Sequence, residues 1–482
     1  MHGNFSRNLS MLTDFYELTM SNGFFKEDMK EQIGVFDLFF RKSPDDGGFA
    51  IMCGVQQIID YIKEIKFTDD DINYLKSFGF CDGFLDYLKN FEFCCDVWAI
   101  PEGTPIFPNE PVLTVCGPII QAQLIETMVL IAFNHQTLIA TKANRIVRAA
   151  QGRLVIEFGA RRAQGFDAAV YGARAAIIGG CDSSSCLLAA QKFGLNASGT
   201  MAHSWIQMFD SEYDAFAAYA RQYSDSCVLL VDTYNVLKSG VPNAIKVFDN
   251  VLKPLNKRPV GIRIDSGDIT YLSKRARRMI DEAGYPDCHI IASNSLDEHI
   301  ISDMLLQGAK VDAFGVGERL ITSSSAPVMG GVYKLSAVIE ADGTVTPKIK
   351  ISENVTKITT PGFKSVWRLF DRSSGKAIAD VVTLHDEEID DTKPYEIFDP
   401  EYTWKRKTVT DFIARRLTKH IFKKGQFVYT NYSTNEIKRY CQKQIDHLWD
   451  EVLRFENPHN YYVDLSVDLW NLKHQLIQKF SK

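Results

Sequence analysis

The sequence predicts an α/β protein with a parallel α/β core in the middle of the chain. Two observations carry this. Branched apolar runs recur at 154–156, 228–231, 261–264, 290–292 and 311–314, and helix-like stretches at 212–221, 244–251, 271–283 and 296–306 fill the later gaps. Strand, loop and helix alternate about every 30 residues, the rhythm of parallel strands joined by helical crossovers. The second observation is scale: 482 residues, 45% hydrophobic and 24% charged, exceed one small core and suit two or three domains, or a barrel with additions. An open doubly wound sheet and a closed barrel share the rhythm. Polar, small or charged residues at every strand end lean the reading toward a barrel.

In chain order, Leu12-Thr13-Asp14-Phe15-Tyr16 opens a helix, with Thr13 as the cap candidate and Tyr16 and Met20 one turn apart, facing inward. Residues 35–42 and 49–53 read as strands, followed by an amphipathic helix at 55–65 and a peripheral helical segment to Phe93. Another strand is expected at 112–116. From Ile119 to Ala150 the pattern is helical, and residues 121–150 hold no proline or glycine. The boundaries expected are therefore 1–118, a core at 119–335, and 336–482. Past Leu335, residues 348–352 and 361–370 read as strands and 436–454 and 466–479 as amphipathic helices.

A net charge of −6 argues against a nucleic-acid or polyanion partner. The ten cysteines include no Cys-x-x-Cys and no pair at zinc spacing, as expected for buried thiols in a reducing compartment. Residues 1–10 lack an apolar signal core, and the longest apolar run, 128–133, is too short to span a bilayer, so a cytoplasmic protein is expected.

Ligands of parallel α/β domains bind beyond the carboxyl ends of the strands. Those ends carry Glu157-Phe158-Gly159-Ala160-Arg161-Arg162, Asp232-Thr233-Tyr234, Arg263-Ile264-Asp265-Ser266-Gly267-Asp268, Ser293-Asn294-Ser295 and Gly315-Val316-Gly317-Glu318. Gly315 and Gly317 let bare backbone N–H groups approach a phosphate, though an ordinary tight turn has the same composition. Asp265 and Asp268 can grip sugar hydroxyls or a Mg²⁺ that carries phosphates; helix capping would account for one of them but hardly both. Arg161, Arg162 and Arg263 supply guanidinium forks for carboxylate or phosphate. His203, inside Ser198-Gly199-Thr200-Met201-Ala202-His203-Ser204-Trp205, sits among small residues at what reads as a strand end turning into a loop, and can serve as general base or nucleophile. A phosphorylated sugar, a small anion and a metal ion suit this set.

In this order and combination, Leu12 to Met20, Glu157 to Arg162, Gly199 to Ser204, Arg263 to Asp268, Gly315 to Gly317 and Asn457-Pro458-His459-Asn460-Tyr461-Tyr462 resemble the bacterial nicotinate phosphoribosyltransferases over nearly the whole chain. The resemblance implies an irregular TIM-barrel-like core beside a second α/β domain formed from both chain ends. It implies transfer of phosphoribosyl from phosphoribosyl pyrophosphate to nicotinate for NAD salvage, coupled to ATP hydrolysis, with Mg²⁺. His203 would be transiently phosphorylated by ATP. Arg263 would hold the nicotinate carboxylate near Thr200 with Tyr16 stacking on the pyridine face, and Arg161 would sit by the substrate anions. Asp265 would hold the ribose hydroxyls and with Mg²⁺ help orient the pyrophosphate, and Asp268 would count among the substrate-binding residues. Ser293, Asn294, Gly315 and Gly317 would cradle the 5′-phosphate. The resemblance also implies a homodimer in which Tyr16 completes the partner's site; metal ligands stay unassigned. Glu318 departs from the threonine some relatives carry, placing a carboxylate where a phosphate would bind. A nicotinamide phosphoribosyltransferase and a non-catalytic metabolite-binding protein are the rival readings.

Overall fold

The computed structural model describes residues 8–354 and 357–481. Residues 1–7, most of the polar start considered above, lie outside the described residues. The chain divides into two compact units, one of Ile139–Pro327 with Ser433–Lys438, the other of Met1–Leu138, Val328–Tyr432 and Arg439–Lys482. The changeover near 138 falls within a long helix rather than at 118/119.

The central unit holds a six-stranded sheet in the order Ser183–Ser184, Leu154–Glu157, Ala313–Val316, His289–Ser293, Gly261–Ile264, Val228–Leu230. Every pairing in it is parallel. The four middle strands match the expected runs closely. Among the described residues nothing pairs the two outer strands, so the sheet stays open and no closed barrel forms. Helices Glu212–Gln222, Ile269–Glu282 and Glu298–Leu306 lie in the crossovers. One face of the sheet packs Leu229, Ile262, Ile264 and Ile290 against Phe216, Phe248, Ala276 and Ile280 from the helices, all fully buried. At roughly 1.5–3 kcal/mol for each large apolar side chain withdrawn from water, this contact holds the strand ends in place.

The run before His203 corrects the reading from sequence. Residues Leu187–Phe193 form a helix, not a strand, and Gly194 ends it with φ 64°, the left-handed turn that glycine adopts without strain.

The other unit is assembled from both ends of the chain. Its seven-stranded sheet runs Val345–Pro347, Val332–Ile339, Ile33–Phe39, Leu113–Pro118, Asp96–Ala99, Lys419–Lys423, Gln426–Phe427. Here the strand expected at 348–352 is not formed: the pairing with Val332–Ile339 runs only to Pro347, Lys348 N–H makes one further bond to the Ser336 carbonyl, and Lys350 N–H turns to the Thr359 hydroxyl. A four-stranded sheet of Phe412–Arg416, Lys364–Asp371, Ala377–Leu384 and Val463–Leu465 buries the ion pair of Arg368 with Asp380, 2.6 Å apart, to which Tyr461 donates a further hydrogen bond. A cleft of about 1320 Å³ in this unit is lined by Lys364, Trp470 and Lys473 among others.

The first helix, Phe15–Lys26, begins after Asp14, which makes no side-chain cap; the Thr13 hydroxyl donates to Glu17 instead. Tyr16 and Met20 are exposed rather than packed inward.

The helical stretch Ile119–Ala149 is long and apolar enough to cross a membrane by length and composition, yet 72% of its apolar window is buried inside the protein. Its buried Lys142 and Arg145 both contact the buried carboxylate of Glu298, at 2.8 and 2.7 Å. Paired interior charges of this kind suit a core helix better than a lipid-facing one.

Candidate active site

The central unit gathers His203, Asp232, Arg263, Asp265, Ser293 and Thr200 into one connected polar cluster. His203 is the first residue of a short helix, His203–Gln207, reached through the loop after Gly194. Its Nε2 lies 3.2 Å from Asp232 Oδ1, and Asp232 is buried while the imidazole is partly exposed. The other oxygen of Asp232 accepts from the Asp265 N–H at 3.1 Å and the Ser266 hydroxyl at 2.6 Å. A carboxylate held on both oxygens fixes the imidazole it touches.

Arg263 is the hub of the cluster. Its Nη1 donates to Thr200 at 3.1 Å, its Nη2 to Asp265 Oδ1 at 2.7 Å, and its Nε to the Ser293 hydroxyl at 2.7 Å. Ser293 in turn donates to Asp265. The ring of Phe158 lies 5.3 Å from the guanidinium carbon, within cation–π range. Thus three expected site residues, Asp265 and Ser293 from two strand ends and Thr200 from a loop, converge on the Arg263 guanidinium, with one aromatic face beside it.

Gly315 owes its identity to the same ring. A Cβ there would sit 2.5 Å from Phe158 Cε2, so any side chain would displace the ring. At Gly317 a Cβ would come 3.2 Å from the Phe158 carbonyl oxygen. Below this loop, burial raises the carboxyl of Glu157 above the usual range, against hydrogen bonds from the Ser184 hydroxyl and the Gly159 N–H. Asn294 and Ser295, next to Ser293, both adopt positive φ, 82° and 53°. Two consecutive non-glycine residues there mark a strained loop.

Other expected residues stand differently. Asp268 Oδ1 accepts from the Tyr271 N–H at 2.9 Å and caps Ile269–Glu282, the capping role weighed for it from sequence. Arg161 is exposed on the one-turn helix Ala160–Arg162. Glu318 lies 3.4 Å from the guanidinium of Arg162, which offsets the negative charge beside the glycine loop. Tyr16 belongs to the other unit.

The expectations missed Asp232 as the partner of His203, Phe158 as the ring beside Arg263, and the pair Arg319–Asp297. Asp232 had one usable signal: it lies one residue past the Val228–Leu230 strand, much as Asp265 follows Gly261–Ile264. Among the described residues no three His, Cys, Asp or Glu side chains gather at metal-binding spacing.

Three family models cover the chain: the nicotinate phosphoribosyltransferase N-terminal domain over residues 11–134, the nicotinate phosphoribosyltransferase family over 154–385, and the C-terminal domain over 363–473. A nicotinate phosphoribosyltransferase of Bacillus subtilis is 44% identical over 472 residues, covering 98% of this chain and 96% of its own. The chain belongs to the nicotinate phosphoribosyltransferase family. A family member of Dictyostelium discoideum is 35% identical, with 97% of this chain and 88% of its own covered. The crystal structure of human nicotinic acid phosphoribosyltransferase superposes with a TM-score of 0.86 at 28% identity, covering 96% of this chain and 99% of that one. A nicotinate-nucleotide pyrophosphorylase structure from Pyrococcus furiosus, TM-score 0.70 at 23% identity, shares the fold.

Proposed function

We propose that this chain transfers the phosphoribosyl group of phosphoribosyl pyrophosphate to nicotinate, releasing pyrophosphate and nicotinate mononucleotide for NAD salvage, with ATP hydrolysis coupled through His203. The observation that carries the reading is the Arg263 hub, one guanidinium reaching Thr200, Asp265 and Ser293 beside the Phe158 ring. The full-length family resemblance sits behind it.

In this reading Arg263 binds the nicotinate carboxylate, a charge-assisted contact that an uncharged amide cannot match. The ribose sits over Asp265, whose second oxygen is left for its hydroxyls while the first is held by Arg263 and Ser293. Asn294, Gly315 and Gly317 flank the 5′-phosphate, and exposed Arg161 meets the substrate anions. The bond from C1 of the ribose to pyrophosphate breaks as the pyridine nitrogen attacks C1. The positive charge passes from the ribose to the pyridinium and no proton moves, so positioning and electrostatics carry the step.

Asp232 holds Nε2 of His203 and turns Nδ1 toward ATP. Nδ1 attacks the γ-phosphorus, the P–O bond to ADP breaks, and the added positive charge on the imidazole is stabilised by Asp232. Water later hydrolyses the phosphohistidine. Mg²⁺, when bound on the phosphates, supplies charge neutralisation. The core is read as an incomplete barrel open between Ser183–Ser184 and Val228–Leu230, and the enzyme as a cytoplasmic homodimer. Ten free cysteines and the exposed Tyr16 support the last two points.

The test is product formation from nicotinate and from nicotinamide, each with phosphoribosyl pyrophosphate and Mg²⁺, with and without ATP. ATP-stimulated turnover of nicotinate is expected. Turnover of nicotinamide alone would move the substrate, and turnover of neither would make the protein a non-catalytic binder.

A further inference from the structure

We infer that the ion pair of Arg319 with Asp297 is a clasp that sets the spacing of the two loops flanking the 5′-phosphate, making both positioning residues for phosphoribosyl pyrophosphate. The inference rests on the reading of Ser293–Asn294 and Gly315–Gly317 as phosphate loops.

Both loops leave the sheet from neighbouring parallel strands, Ser293 pairing with Gly315. Beyond that pair they diverge, and the first turns through the two left-handed residues Asn294 and Ser295. A loop held in such a conformation relaxes unless both its ends are fixed. The near end is fixed by the bonds of Ser293 to Arg263 and Asp265.

The far end is fixed by two adjacent carboxylates with different duties. Glu298 is fully buried against Lys142 and Arg145, anchoring the helix Glu298–Leu306. Asp297 divides its oxygens: Oδ1 accepts the Ile300 N–H at 2.9 Å and caps that helix, while Oδ2 takes the guanidinium of Arg319. Arg319 is the second residue after Gly317, in the short helix Glu318–Ile321. The contact therefore ties the end of one loop to the end of the other. The Asp297 carboxylate is largely shielded from water, while Arg319 stays more than a third exposed, so the pair acts by fixing geometry rather than by adding much stability. Burial acts to raise the Asp297 carboxyl, and the Ile300 N–H and Arg319 outweigh it to leave the group below the usual carboxylate range.

The division of labour makes the clasp separable from the cap. Asn is as good an N-cap as Asp, so Asp297→Asn keeps the helix start and removes only the charge. Arg319→Gln removes the other partner, and Arg319→Lys keeps the charge without the fork.

The experiment measures initial rates for these variants, for the double variant Asp297→Asn/Arg319→Gln and for Gly317→Ala, varying each substrate in turn, with thermal melts alongside. Each clasp single is expected to raise the KM for phosphoribosyl pyrophosphate about 10-fold, with the KM for nicotinate within about twofold. The double variant should be no worse than either single, and Arg319→Lys should recover part of the loss. Unchanged KM for phosphoribosyl pyrophosphate in both singles, with a raised value in Gly317→Ala, would overturn the clasp and leave the loops as the phosphate site. An unchanged value in Gly317→Ala as well would overturn the loop reading itself. Equal loss on both substrates together with a lowered melting temperature would assign the pair to stability alone.

Discussion

His203 Nε2 and Asp232 Oδ1 stand 3.2 Å apart, and the second oxygen of Asp232 is occupied by the Asp265 N–H and Ser266. The carboxylate thus joins the proposed nucleophile to the strand end that carries Asp265. In Asp232→Asn the amide oxygen can keep the Asp265 and Ser266 bonds while the negative charge beside the imidazole is lost. ATP-dependent phosphoenzyme formation is expected to fall by roughly 10²–10⁴-fold, the range that positioned acid–base partners supply. Acid-labile phosphate from labelled ATP measures this, and undiminished labelling would remove Asp232 from the mechanism.

Gly315 and Phe158 form a steric pair. In Gly315→Ala the new methyl meets the ring at 2.5 Å, an overpacking expected to cost about 1–3 kcal/mol of stability. Shrinking the ring in Phe158→Leu/Gly315→Ala should return part of that loss, so the two changes are non-additive. Chemical denaturation of both singles and the double checks it; strict additivity would show that the ring is not what excludes a side chain.

Much of this site was legible because its parts are local. Strands announced by branched runs end in Arg263-Ile264-Asp265 and Ser293-Asn294, and a strand end is a place one can read without knowing the fold. What was not legible depends on which strands become neighbours. Nothing local says that Asp232 meets His203, 29 residues earlier, or that Phe158 from the first strand end lies beside Arg263. Asp268 shows the reverse problem: the same residue serves as ligand or cap, and only its Tyr271 contact decides that the cap takes one oxygen. Barrel closure was beyond reach for a different reason, since open and closed parallel sheets repeat the same strand–helix unit.

Glu17 gives a pH dependence. Burial pushes its carboxyl up to about 7, although the hydroxyls of Thr127 and Thr13 pull the other way. Unfolded, it titrates near about 4.3. The native state holds this proton more tightly, so the stabilisation is complete below about pH 4 and lost as the pH rises through about 7, on the order of 3 kcal/mol in all. Glu17→Gln should therefore melt higher than the parent protein at pH 8, lose most of the difference by pH 5 and the rest by about pH 4. Melting curves across that span test it, and a parallel pH profile in the two proteins would contradict the shift.

Tyr16 is exposed on the Phe15–Lys26 helix, as a residue serving a partner subunit would be. Mixed homodimers test this. If Tyr16→Ala and His203→Ala are each inactive, an equilibrated equal mixture should recover about a quarter of wild-type activity, since half the dimers then carry one intact site. No recovery on mixing would confine each site to one chain.

The two-ended unit has a consequence for how the protein is made. All six strands of the parallel sheet emerge from an unbroken stretch of chain, whereas Ile33–Phe39 pairs with Val332–Ile339 and Asp96–Ala99 waits for Lys419–Lys423. Vectorial synthesis therefore completes the sheet that carries Arg263 while the earlier-made strands still lack the later of their two neighbours. The three-stranded piece of Ile33–Phe39, Leu113–Pro118 and Asp96–Ala99 can form early, but both its edges stay open on the ribosome until Val332–Ile339 and Lys419–Lys423 emerge.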